Sequence, residues 1–156
     1  SELNSLVEEC QKGYDVYNFF VPANKVRTFL WNVFAPHYVE MAKSRSDQGD
    51  GGALYALHEC LRTMLKILAP VVPFITERIW SEMYGGSVHE ETMPEPSHER
   101  KSGLSDASDE LQQFNSDIWK TKKDQGMSLK SELEGIEIPE GLKPFESDLV
   151  MMHNLK

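Results

Sequence analysis

The feature that most narrows how this chain can fold is a run of leucine and methionine in its middle. Leu54, Leu57, Leu61, Met64, Leu65 and Leu68 recur at steps of three and four, which gathers them on one side of an α-helix and scatters them over both faces of a strand. The same period returns in Leu3, Leu6, Val7 and Cys10, in Val26, Phe29, Leu30, Val33 and Phe34 running on to Tyr38 and Met41, and in Ala107, Leu111, Phe114 and Ile118. Glycine and proline punctuate these stripes. Gly13 interrupts the first, and Pro22 suits the opening turn of a second helix reaching about Ser44, in which Pro36 predicts a kink near Asn32 to Pro36. Pro70 ends the third, Pro73 opens a fourth whose buried side is Ile75, Ile79, Trp80 and Met83, and Gly85 and Gly86 stop it. The fifth has Asp106 as a candidate cap and Gly126 as its stop.

Several such helices with short connections predict a mainly α fold, a helical bundle over residues 1–86. Residues 87–105, with Pro94, Pro96 and Gly103, read as an extended strap or linker, and Ser46 to Gly52 as a flexible loop. Residues 106–156 read as an additional helix plus a small α/β tail, with Ile136 to Ile138 and Leu149 to His153 as its two strands. A chain of 156 residues supports one main core. Because it opens at Ser1 and Leu3, Leu6 and Val7 already look like core positions, it reads as a monomeric piece of a larger protein. No apolar run approaches the roughly 20 residues of a membrane helix, and two isolated cysteines, Cys10 and Cys60, read as reduced thiols of a cytoplasmic protein.

A formal charge of -9 disfavours general nucleic-acid binding, DNA included, because affinity for phosphate rests on lysine and arginine. RNA contact would need a local patch. Lys25 to Arg45 carries a net +3 and His89 to Glu99 a net -4, so the charge is segregated along the chain.

Neither a nucleophile with its base, a metal-ligand set nor a glycine-rich phosphate cradle is legible, so no catalytic residue and no metal site are expected. His58, Glu59 and Cys60 are consecutive and point in different directions on a helix, so they read as ordinary helix residues. Trp31, Phe34, Tyr38 and Met41 read as core rather than as a platform for bases. Tyr14, Tyr17, Phe19 and Phe20 lie in a connection, where rings either fill a core or project to stack on bases. Lys120, Lys122 and Lys123 beside Trp119 form either a solvated helix end or an RNA contact, with Lys122 at the rim of the apolar stripe and its stem free to snorkel.

Phe29-Leu30-Trp31-Asn32, then Tyr38-Val39-Glu40 and Lys43-Ser44-Arg45, then Leu68-Ala69-Pro70 and Pro73-Phe74-Ile75-Thr76-Glu77 resemble the anticodon-binding domain of class I aminoacyl-tRNA synthetases of the valine, isoleucine and leucine group. Ser87-Val88-His89 with Met93-Pro94-Glu95 is similar to the strap that follows in that family, with Met93 where tryptophan is common. Ile118-Trp119-Lys120 and Lys122-Lys123 with Gly126-Met127-Ser128-Leu129 resemble its next helix and turn. The segment Gly126 to Ser131 bears only a superficial likeness to the catalytic lysine-methionine-serine-lysine-serine loop and carries no catalytic weight. Trp80 after Thr76-Glu77 is closer to the valine branch of archaeal type than to the isoleucine branch, which remains the alternative beside an acidic protein-interaction module.

The resemblance implies a domain that grips the anticodon stem and loop of tRNA for an enzyme that joins valine to its tRNA. ATP and magnesium would serve that parent, and no cofactor this piece. Single-stranded loops are read by stacking and by hydrogen bonds to base edges, and backbones by cations. The candidates are Tyr17, Asn18, Phe20, Lys25, Arg27, Lys120 and Lys123.

Overall fold

The computed structural model describes residues 2–97 and 107–156, and every described element but an isolated bridge is helical. In order these are α1 (Glu2–Asp15), α2 (Phe20–Phe29), a π-helical segment (Leu30–Val39), α3 (Glu40–Asp47), α4 (Gly51–Leu68), α5 (Pro73–Met83), α6 (Ser108–Asp124) and α7 (Glu146–His153), with short 3-10 turns at Val88–Glu90 and Glu140–Phe145. The chain divides into two compact units, Ser1–Trp31 with Leu54–Ser102 and Asn32–Ala53 with Gly103–Lys156. They interleave along the sequence, unlike a linear division into 1–86, 87–105 and 106–156. The reason is apolar: Tyr38 and Met41 join a core with Phe114, Ile118, Leu133, Leu142, Leu149 and Leu155.

In the first unit α1 and α2 form a helical hairpin that buries Leu3, Leu6, Val7 and Cys10 on one side and Val26 and Phe29 on the other. Gly13 does not stop α1, which runs on to Asp15. A Cβ there would sit 2.9 Å from the ring of Pro22 and 3.0 Å from Val21, so glycine is what lets α2 approach this closely. On α4 the buried residues include Thr63 and Ile67 beside Met64 and Leu65, while Leu54 is exposed. On α5 the buried side is Thr76 and Trp80, and Ile75 and Met83 face solvent instead of the core. Thr76 can turn inward because its hydroxyl donates to the carbonyls of Val72 and Pro73, both at 3.0 Å. Gly85 and Gly86, at φ of 74° and 66°, end α5 as expected of glycine in the left-handed region.

Residues 87–97 then cross this unit as a strap. Glu77 accepts from the Ser87 hydroxyl and the Val88 amide, Lys66 pairs with Glu91 at 2.7 Å, and Gln11 donates to the Pro94 carbonyl. Asn4 closes the run, donating to the Ser97 carbonyl at 2.8 Å and accepting from its amide at 3.1 Å. The rest of the expected strap, 98–105, and the expected cap Asp106 lie outside the described residues.

In the second unit the perturbation expected at Pro36 takes the form of a ten-residue π-helical run. The wider turn absorbs the missing amide donor and the bulk of the ring. The expected two-stranded tail is absent among the described residues. Leu149–His153 is the end of α7, and a single parallel bridge joins Leu133 to Leu155. A short apolar run fits helix and strand equally, and acidic Glu146 and Asp148 in its first turn favour the helix.

Candidate nucleic-acid interface

Two groups of the sequence-derived candidates occupy exposed helix faces, one in each unit. The first begins where α1 ends. The Asn18 amide returns to the Gly13 carbonyl at 2.9 Å and the Tyr17 amide to that of Tyr14 at 3.0 Å, the paired bonds of a Schellman cap. Tyr17 takes the left-handed position at φ 56°, where glycine is the usual occupant. Its backbone therefore stores about 1 kcal/mol of strain, and its ring is 84% exposed.

The four aromatic residues of this connection divide in two. Tyr14 donates its hydroxyl to the Ile67 carbonyl and meets Phe19 edge-on at 5.6 Å. Burial pushes the Tyr14 hydroxyl up to about 12, so it remains a donor at any physiological pH. Phe19, itself 46% exposed, leans on Tyr14, which thus anchors the connection to α4. Tyr17 and Phe20, the latter 74% exposed, project from it, and Asn18 between them is exposed as well.

Along α2 the exposure continues. At 100° per residue, Phe20 and Arg27 fall about 20° apart on α2, and both are exposed, as is Trp31, at 69%, two residues past its end. Trp31 is not the core residue that its spacing from Phe34 and Tyr38 suggests, whereas Phe34 and Met41 are buried. Asn24, on the same side, donates to the Phe20 carbonyl at 3.1 Å. The outcome is a strip of aromatic, amide, guanidinium and aromatic groups open to solvent. Lys25 lies off this strip and is held by Glu9 at 2.8 Å, which reduces the charge it can offer a phosphate. Exposed Val72 just before α5 is followed in its first turn by a Phe74 ring that is 91% exposed and by exposed Ile75. No sequence signal sets that ring apart from the buried aromatic residues.

In the second unit Lys120 and Lys123 are exposed on α6, opposite its buried Phe114 and Ile118. Lys122 differs from its neighbours and from its expected rim position. It is fully buried, continues the stripe one turn past Ile118, and its ammonium donates to the carbonyls of Leu129 at 2.9 Å and His153 at 2.6 Å. Burial lowers its proton affinity. It fastens the turn after α6 and offers nothing to a partner.

Among the described residues, no group of three or more His, Cys, Asp or Glu side chains comes together to hold a metal, and no helix is long and apolar enough to cross a membrane. His58 is a surface helix residue that bonds the Tyr84 hydroxyl at 3.1 Å. Cys10 and Cys60 form no disulfide.

Residues 1–138 match the family described as anticodon-binding domain of tRNA ligase. The chain is similar to the valine-tRNA ligase of Pyrobaculum aerophilum, 32% identical over 164 residues that cover 99% of this chain and 20% of that protein. It is similar to the same ligase of Aeropyrum pernix, 32% identical over 94% of the chain and 19% of the relative, and of Methanosarcina acetivorans, 34% identical over 88% and 16%. The chain thus spans about a fifth of the length of the curated relatives it matches.

Proposed function

The chain belongs to the family of anticodon-binding domains of tRNA ligases, and we propose that it recognises the anticodon stem and loop of a valine tRNA on behalf of a valine-tRNA ligase. The observation that carries the reading is the exposed strip on α2 and the connection before it. Rings of Tyr17, Phe20 and Trp31 stand in water with Arg27 among them. Unpaired bases stack on such rings for about 1 to 3 kcal/mol each, and a guanidinium can serve a phosphate or a base edge. Asn18 supplies both a donor and an acceptor beside the rings. Lys25, Lys120 and Lys123 complete the proposed set as backbone contacts, with Lys25 the weakest of them because of Glu9. A chain of net charge -9 then binds RNA through few cations, and the rings supply most of the affinity.

In this reading, activation of valine with ATP and magnesium belongs to other parts of such a ligase, of whose length a chain like this spans about a fifth. The valine preference is supported by the names of the relatives. The test is binding of a valine tRNA transcript over a range of potassium chloride. Trp31→Ala and Phe20→Ala are each expected to weaken binding by about fivefold to 150-fold at every salt concentration. Lys120→Ala with Lys123→Ala is expected to flatten the salt slope by roughly 1.4 if both touch a single-stranded backbone. Ring variants that bind like the parent sequence would sink the proposed site; an unchanged slope would make the lysines a solvated helix end.

A further inference from the structure

In the second unit three buried polar side chains are wired in series. Asn115 of α6 sets its amide nitrogen 3.0 Å from Nδ1 of His37 and its carbonyl oxygen 2.7 Å from Nε2 of His153 at the end of α7. All three are buried. An amide nitrogen only donates and its oxygen only accepts, so in this arrangement His37 keeps Nδ1 bare and His153 carries its proton on Nε2. The Trp119 ring lies 5.2 Å from the His37 ring and 5.9 Å from that of His153, with Phe114 edge-on to His153 at 6.2 Å.

The charged groups of the surrounding elements do not favour an imidazolium here. From α6 the ammonium of Lys122 is bonded to the backbone carbonyl of His153 itself. From α7 the carboxylate of Asp148 is engaged by Arg45 of α3 at 3.1 Å. The π-helical segment contributes His37, whose backbone bond at Asn32 favours its charged form against burial, and an imidazolium at His153 would face both His37 and Lys122.

We propose that this wiring is an acid-sensitive latch: a proton on Nδ1 of His37 meets the Asn115 amide donor and undoes that bond, a proton on Nδ1 of His153 buries a second positive charge near Lys122, and either releases α7 with the turn after α6, while the first unit keeps its fold. Burial, with the charges of Lys122 and His37, lowers the proton affinity of His153 to about 4, and burial lowers that of His37. A histidine depressed in the fold binds its proton more readily once released. The latch is therefore at full strength above about pH 6.5 and weakens as pH falls, by up to tenfold per pH unit for His153 on the way down to about 4, with His37 acting in the same direction. Among the described groups of the first unit whose proton affinity is shifted, none is shifted into that window. Buried Cys10 and half-buried Tyr14 are raised to about 11 and 12, and the strap pair Lys66–Glu91 fails only below the ordinary carboxylate range.

The test follows histidine ring resonances and amide hydrogen exchange of the 156-residue chain from pH 7.5 to 5. Expected is that both rings stay neutral until protection across α7 and the turn after α6 falls, with protection in α1 and α2 retained. His37→Gln with His153→Gln, which keeps amide donors and acceptors in place without titrating, is expected to remove that pH dependence. Rings that titrate near 6.5 with protection intact, or a loss of protection in both units at once, would overturn the latch. So would a folded double variant with unchanged acid sensitivity, and should that variant not fold, the titration of the parent sequence decides alone.

Discussion

The two units place their unusual groups on opposite sides of the surface. The first has an apolar interior of Val7, Val26, Ile67 and Trp80, and keeps its strained backbone at Tyr17 and its unpartnered-looking rings in water. The second buries His37, Asn115, Lys122 and His153 among its leucines. Apolar packing tolerates a strained, ring-studded rim because rings as exposed as Tyr17 and Phe20 add little to the buried area that holds the core. A buried polar network has no such tolerance, since each member depends on its partners for the hydrogen bonds that water would otherwise supply.

The largest effect that tests this contrast is expected in the first unit. Trp80→Ala removes the largest fully buried side chain, on which Arg62 and Lys66 rest at 5.4 and 5.6 Å. It is expected to cost about 3 to 5 kcal/mol in denaturant unfolding; a cost under about 1 kcal/mol would mean the site collapses or is held by the strap instead. Next comes Asn115→Leu, which fills a similar volume but leaves His37 and His153 without their buried partner. The expected loss is about 2 to 4 kcal/mol, confined to exchange protection of the second unit. A neutral or stabilising outcome would show that the network is dispensable to stability, as buried polar clusters sometimes are. The smallest effect is at the rim. Tyr17→Gly relieves the left-handed backbone and is expected to raise stability by about 0.5 to 1 kcal/mol while lowering tRNA affinity. Affinity and stability falling together would assign Tyr17 to the core of the hairpin rather than to its surface.

The longer helices were legible because each carries an apolar stripe, which the eight residues of α7 lack, and the Gly85-Gly86 stop because few other residues adopt that backbone. Trp31 was misplaced for a definite reason. A step of three from Trp31 to Phe34 and four to Tyr38 shares a face only at 3.6 residues per turn, and Leu30–Val39 winds more loosely. Lys122 had one signal, its step of four from Ile118, which its charge concealed. The His37–Asn115–His153 series joins positions 78 and 38 residues apart, and no local pattern announces such a meeting. The α2 site was half legible. Tyr17 and Phe20 were readable as connection residues, but which rings anchor and which project depends on a bond from Tyr14 to Ile67, 53 residues away.

The strap sets the order in which the first unit can assemble. The Asn4–Ser97 pair spans 93 residues, whereas α1 and α2 meet across a connection of a few. Closing the longer loop costs roughly 2 to 3 kcal/mol more in chain entropy, which only the finished helices can offset. The hairpin is therefore an early structure and the strap a late one, and α1, which the strap seals, is the last helix to be enclosed during folding and the first to be uncovered when the unit opens.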